Sequence, residues 1–168
     1  MKTIKFFAIA ALMFVATTSY AQQKFGYVSA QEIISLMPER DSASVKLEAY
    51  SKDLQEMYVA MRTEIENKSQ DYQKKSTTLS EVMRQQKEKE INQLTQSYQE
   101  FGQKAQQDMS NKEQELMAPI IKKFQEAVAK VGKAQGIVMV LDKASMLFVN
   151  EALAIDLTAP IKAELGLK

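Results

Sequence analysis

The sequence predicts an α+β chain in which a long antiparallel α-helical hairpin arm is mounted on a small β body. Three observations carry that reading. Between Leu47 and Val131 apolar residues recur every three or four positions, the stripe of an amphipathic helix. Short stretches of strand character flank this pattern, KFGYVS before it, IVMVLD and MLFVN after it. The middle stretch, SQDYQKKSTTLSEVMRQQKEKE from Ser69 to Glu90, has only Tyr72, Leu79, Val82 and Met83 as large apolar residues. It contains no Pro or Gly and is rich in Gln, Lys, Glu, Met and Arg, so it can be helical without having a globular core to lie on.

Residues 1–21 read as a secretory signal. Lys2 and Lys5 precede an apolar run from Phe6 to Ala16, and Ser19-Tyr20-Ala21 puts small residues at the two positions that a signal peptidase reads, so cleavage is expected after Ala21. The run is too short to span about 30 Å of hydrocarbon. Residues 22–168 then form one domain outside the cytoplasm, the body from 22–38 and 120–168 and the arm from 39–119. The chain has no Cys, so neither a disulfide nor a lipid on Cys can hold it.

Lys24–Ser29 reads as a strand with Phe25, Tyr27 and Ser29 on one face and Gly26 and Val28 on the other. Ser29 and Glu32 have capping-box spacing ahead of Ile33, Ile34, Leu36 and Met37, a short helix that Pro38 interrupts. The outgoing stripe is Leu47, Tyr50, Leu54, Met57, Tyr58, Met61 and Ile65. The returning stripe is Ile91, Leu94, Tyr98, Phe101, Ala105 and Met109, continuing through Leu116, Ile120, Phe124, Val128 and Val131 with an interruption expected at Pro119.

In an antiparallel hairpin, opposed residues have numbers with a constant sum. Ile65 with Ile91, Met61 with Leu94, Tyr58 with Tyr98, Leu54 with Phe101, Tyr50 with Ala105 and Leu47 with Met109 all give 155 or 156. The bend then falls near Thr77 and Thr78, inside the Ser76–Ser80 cluster, with Thr78 and Glu81 as a second capping box. About thirty residues at 1.5 Å each make the arm roughly 45 Å long. After Gly132 and Gly136, Ile137–Asp142 reads as an apolar strand buried on both faces, Lys143-Ala144-Ser145 as a turn, and Met146–Asn150 as another strand. Thr158 is placed to cap a last helix with Pro160 in its first turn and Ile161 and Leu165 inward.

Composition excludes several functions. Without His, Cys or Trp there is no imidazole acid/base, no thiol nucleophile and no nitrogen or sulfur metal ligand. Gly26, Gly102, Gly132, Gly136 and Gly166 form no phosphate-cradling loop. The carboxylates alternate with Lys and Gln at helical spacing, as on a solvated helix face. An enzyme is not expected, and neither is a cofactor. Residues 22–168 hold 20 basic and 21 acidic side chains, so nothing draws the chain to nucleic acid.

Within 39–133 the basic and acidic side chains balance at 16 each. Residues 68–89 nevertheless set Lys68, Lys74, Lys75, Arg84, Lys87 and Lys89 against Asp71, Glu81 and Glu88, an excess of three positive charges at the arm tip. Tyr72, Lys74, Lys75, Leu79, Val82, Met83, Arg84 and Lys87 are therefore the candidate contact residues of that tip. The apolar body strands leave open edges, which association would cover. Val28, Ile137, Val138, Val140, Leu141, Leu147 and Val149 are the candidate residues of an assembling body.

These residues resemble a known family. An exported chain with KFGYVS leading to SAQEIISLMPE, a long charged helical hairpin, and QGIVMVLDKASMLFVN followed by AIDLTAPIKAEL is similar to the Skp/OmpH periplasmic chaperones over its whole length after the signal. The resemblance implies a homotrimer shaped like a jellyfish, in which strands of three subunits join in a central barrel and three hairpins enclose a cavity. It implies an ATP-independent holdase in the periplasm that keeps unfolded outer-membrane proteins from aggregating, with no cofactor. Met57, Met61, Met83 and Met109 could adapt to varied client side chains, though the first two and Met109 also fit the hairpin seam. Two rival readings are a structural or adaptor coiled coil of the envelope, and a weak contact of the positive tips with anionic lipid or lipopolysaccharide.

Overall fold

The computed structural model describes residues 24–168. The signal segment and its cleavage site lie outside the described residues. The elements run β1 (Lys24–Val28), α1 (Ala30–Leu36), α2 (Pro38–Lys75), α3 (Glu81–Ala134), β2 (Ile137–Asp142), β3 (Ala154–Asp156) and α4 (Thr158–Glu164), with a 3₁₀ turn at Lys143–Ser145 after β2. The chain is thus mostly helical, with one small sheet.

Helices α2 and α3 form the predicted antiparallel hairpin, 38 and 54 residues long. Met37 is extended and Pro38 occupies the first turn of α2, where its missing N–H costs nothing. The bend lies at Ser76–Ser80, and the N–H groups of Thr78 and Leu79 both reach the Lys75 carbonyl. Tyr58 stacks on Tyr98 with centroids 4.3 Å apart, as the constant sum required, and Phe101 lies 6.3 Å from Tyr58.

Pro119 does not interrupt the return helix. It lies inside α3, which continues unbroken from the hairpin into the packed end of the molecule. The fold loses one backbone hydrogen bond there and keeps the helix, because Ile120, Phe124, Ala127 and Val131, which follow, are all buried. No structural break marks residue 120.

The sheet has the order β2-β1-β3 with both pairings parallel. Gly26 faces Val140 and Ile155 across the ladders, and Phe25 and Tyr27 point the other way, beside Met139 and Leu141. One core lies beneath the Gly26/Val28 face: Val28, Ile33, Met37, Ile120, Phe124, Val131, Leu157 and Ile161, drawn from both chain ends and the base of the hairpin.

Four local expectations are corrected. The third strand is Ala154–Asp156, whereas Met146–Asn150, including Leu147 and Val149, has no regular structure. Among the described residues the β-prone side chains of 146–150 find no neighbouring strand. Strand β2 is not buried on both faces, since Val138, Met139 and Leu141 are 60%, 51% and 43% exposed. Neither capping box forms. The Ser29 N–H donates to Thr158 Oγ1 and Glu32 pairs with Lys162, so tertiary partners take both groups. At the bend Ser80, not Thr78, accepts from the Met83 N–H. Nor does Thr158 cap α4: it is the first residue of that helix, its hydroxyl accepts from the Ser29 N–H, and its own N–H donates to Asp156 Oδ1 at 2.8 Å in a local turn ahead of the helix.

Candidate functional site

Two regions collect the candidate residues. The first is the bend end of the hairpin. Tyr72, Lys74 and Lys75 occupy the last turn of α2, Leu79 the bend, and Val82, Met83, Arg84 and Lys87 the first two turns of α3. Val82 is 73% exposed and Met83 is also exposed, while Leu79 and Tyr72 are half-buried.

Ion pairs hold this end where apolar contacts thin out. Lys68 Nζ donates to Glu90 Oε1 at 2.5 Å across the hairpin, Lys87 reaches the other oxygen of Glu90 at 3.3 Å, and Glu64 lies 3.8 Å from Lys68. Tyr72 donates its hydroxyl to Glu88, a second link between the helices. Lys75 pairs with Asp71 and Arg84 with Glu81 along their own helices. Among the described residues neither Lys74 nor Lys89 forms an ion pair with a carboxylate.

The cross-hairpin clasp is sensitive to pH. Hydrogen bonds from Lys68 and then Lys87 hold the Glu90 carboxyl below its ordinary range, and the Glu90 bond raises the Lys68 ammonium. A lowered carboxyl stabilises the fold above its unfolded pKa, and that contribution is lost as pH falls through the folded value. The raised ammonium contributes below its unfolded pKa and is lost as pH rises through the folded one. The clasp is therefore complete at neutral pH, weakening in acid as Glu90 protonates and in base as Lys68 loses its proton. Spin labels at Gln70→Cys and Gln86→Cys should report a narrow distance distribution at neutral pH that broadens in acid, once the pH falls through the lowered value of the Glu90 carboxyl. Glu90→Gln should be broad in both conditions, and a distribution that ignores acid would exclude the clasp as the tether.

The second region is the surface around the sheet. Ile137 and Val140 are half-buried, Val138 and Leu141 exposed, and Leu147 and Phe148 almost fully so, at 107% and 82%. Val28 is 3% exposed and belongs to the chain's own core. Val149 is half-buried. A groove of about 430 Å³ runs along β2, walled by Phe124, Val128 and Gly132 of α3 and bordered by every residue of β2.

Sequence reasoning did not find the aromatic middle of the seam as a surface feature. Beside the Tyr58 ring, Gly102 and Ala105 leave a cleft of about 290 Å³ that Leu54, Phe101 and Met109 also line. The signal was present as two small residues in an otherwise bulky stripe. Among the described residues no cluster of acidic side chains is arranged to hold a metal ion, and no helix is long and apolar enough to cross a membrane.

The comparisons with known proteins agree with this architecture. The crystal structure of an OmpH-like protein from Caulobacter crescentus CB15 superposes with a TM-score of 0.71 at 19% identity, covering 89% of this chain and 88% of that one, a likeness of fold. Chaperone protein Skp of Vibrio cholerae is 30% identical over 136 residues, 79% of this chain and 78% of its own. Chaperone protein Skp of Photorhabdus luminescens is 30% identical over 125 residues, 73% of this chain and 74% of its own. The family model described as outer membrane protein (OmpH-like) matches residues 24–165, the strand, both long helices and the terminal block together, and the chain belongs to the OmpH-like family that includes Skp.

Proposed function

We propose that the protein is a periplasmic holdase that binds unfolded outer-membrane β-barrel proteins and keeps them from aggregating without ATP. Its relatives carry the name chaperone, not that of an enzyme. The observation that carries the reading is the gradient along the hairpin. Toward the sheet the helices bury apolar side chains, whereas at the bend they are tied by ion pairs and leave Val82 and Met83 to solvent. A spacer gains from a seam that is apolar to its end. A clamp gains from an end that opens and offers mixed apolar and cationic contacts, each weak and together strong.

In this reading residues 1–21 are removed after Ala21, residues 22–38 and 120–168 form the body, and residues 39–119 form the arm. Three copies associate through the exposed β2 face and the apolar segment after it. The tip residues Tyr72, Lys74, Lys75, Leu79, Val82, Met83, Arg84 and Lys87 touch the client. Lys74 and Lys89, lacking carboxylate partners, favour an additional weak contact with anionic lipid or lipopolysaccharide.

The deciding test dilutes a urea-unfolded β-barrel membrane protein into buffer with and without the purified protein. Light scattering should stay near baseline at one trimer per client. Scattering equal to that of the client alone would turn the assignment toward the envelope spacer.

A further inference from the structure

The chain has no Cys and no Trp, so its sulfur chemistry is confined to methionine thioethers. Their surroundings differ widely. Met37 is 1% exposed in the core beneath the sheet, and Met61, Met109 and Met117 are half-buried along the hairpin. Met57 and Met83 are 54% and 42% exposed. Met57 fits the seam by its spacing, but Tyr58 and Met61 take the inward places and leave it facing water. Met83 lies in the first turn of α3, where its N–H donates to Ser80 Oγ and its side chain projects beside the bend. Met139 is exposed too, yet it lies on the β2 face that the assembly reading covers, so it stands apart from these two.

An exposed thioether reacts with peroxide without help from any other group. A lone pair on Sδ attacks one peroxide oxygen, the O–O bond breaks, and that oxygen stays on sulfur as a sulfoxide. The other oxygen leaves as water with the two protons, so sulfur loses two electrons and the peroxide gains them. Hypohalous acid delivers its oxygen in the same way and leaves as hydrogen halide. The apolar, flexible side chain becomes a polar one.

What this does depends on the position. An oxygen on Met37 would bury a polar group without a partner, and its burial keeps oxidants away. On Met83 the sulfoxide stays in water, so the fold is kept and only the contact surface changes. The apolar part of the bend end is Leu79, Val82 and Met83. The two aliphatic side chains are inert to such oxidants, which leaves Met83 as the member of the group whose polarity the medium can change.

We propose that Met83, with Met57 farther along the arm, is an oxidation site at which peroxide or hypohalous acid loosens the hold on a client while leaving the fold intact. The inference rests on the holdase reading above and adds a reversible control to it, since sulfoxide reductases of the two epimer specificities restore the thioether.

The purified protein is treated with hydrogen peroxide until intact mass shows about one or two added oxygens per chain, matching the two exposed arm methionines. Peptide mapping should find sulfoxide on Met83 and Met57 forming at least about tenfold faster than on Met37. Circular dichroism and the thermal midpoint should stay as they were. About threefold more treated protein should be needed for the same suppression of client scattering, and the two reductases together should reverse the change. The double variant Met57→Leu, Met83→Leu keeps apolar character and helix propensity without sulfur, so its suppression should be equal before and after peroxide. Met83→Gln should weaken suppression with no oxidant present. Equal rates at Met83 and Met37, undiminished suppression by the treated protein, or a loss that persists in the double variant would each overturn this inference and leave the holdase reading standing. Untreated protein that fails to suppress scattering would overturn the holdase reading, and this control with it.

Discussion

Leu157→Ala should destabilise the protein by about 2–5 kcal/mol, among the largest losses expected from shortening one side chain here. Leu157 lies between β3 and α4, is fully buried, and donates its N–H to the Tyr27 carbonyl at 2.8 Å. Its side chain fills the space that Gly26 leaves in β1: a Cβ on Gly26 would come within 2.7 Å of Leu157 Cδ1 and 3.2 Å of Ile137 Cγ2. Strand β1 is the centre of the sheet, so a void under Gly26 weakens both ladders at once. Thermal or urea unfolding at fixed protein concentration measures the loss, since association adds concentration-dependent stability.

The same contact predicts a non-additive pair. Gly26→Ala alone must push Leu157 aside and should also destabilise, whereas in the Leu157→Ala background the new methyl enters the space vacated. The double variant should be more stable than the sum of the two single losses predicts. Strict additivity would mean that Gly26 and Leu157 do not share one packing site.

Removing Lys68–Glu88 and restoring a short turn should weaken protection of an unfolded β-barrel client about tenfold or more, while the fold of the base survives. The excision takes away the bend, the Tyr72–Glu88 link and the exposed Val82 and Met83, and leaves Asn67 facing Lys89 in the original register. The core residues from Val28 to Ile161 make no contact with the deleted segment, so circular dichroism and thermal midpoint should change little. Binding that remains should respond less to salt, since Lys68, Lys74, Lys75, Arg84 and Lys87 are gone. Changing Lys74, Lys75, Arg84 and Lys87 to Gln tests the charge alone at nearly constant helix propensity. Full protection by the shortened protein would remove the tip from the client-binding surface and favour the spacer.

The hairpin was legible in the sequence because its determinants are local. Helix periodicity, the Ser76–Ser80 break and the constant sum are all properties of neighbouring residues, and stacking of Tyr58 on Tyr98 follows from them. Caps were less legible. Ser29, Thr158 and Asp156 each had suitable chemistry, and which oxygen meets which N–H depended on residues 129 positions apart in the chain. Pro119 misled for the same reason. Its local cost is fixed by the backbone, but the gain from burying Ile120 and Phe124 against α1 and α4 is tertiary and larger.

The sequence by itself determined the long two-helix hairpin, its bend, its charge-rich end and the strand tendency of the flanking segments. Each of these is a property of composition and spacing, and hydrophobic burial at helical period needs no distant information. Only the tertiary structure decided which tendencies became strands. Ala154–Asp156 is weaker as a strand sequence than Met146–Asn150, yet it lies in parallel register with Phe25–Tyr27 and bonds there, because Leu157 and Ile161 just after it are drawn into the core under Gly26. A strand exists where a backbone neighbour satisfies its N–H and C=O groups, and among the described residues that neighbour is β1 for residues 154–156 and absent for residues 147–149.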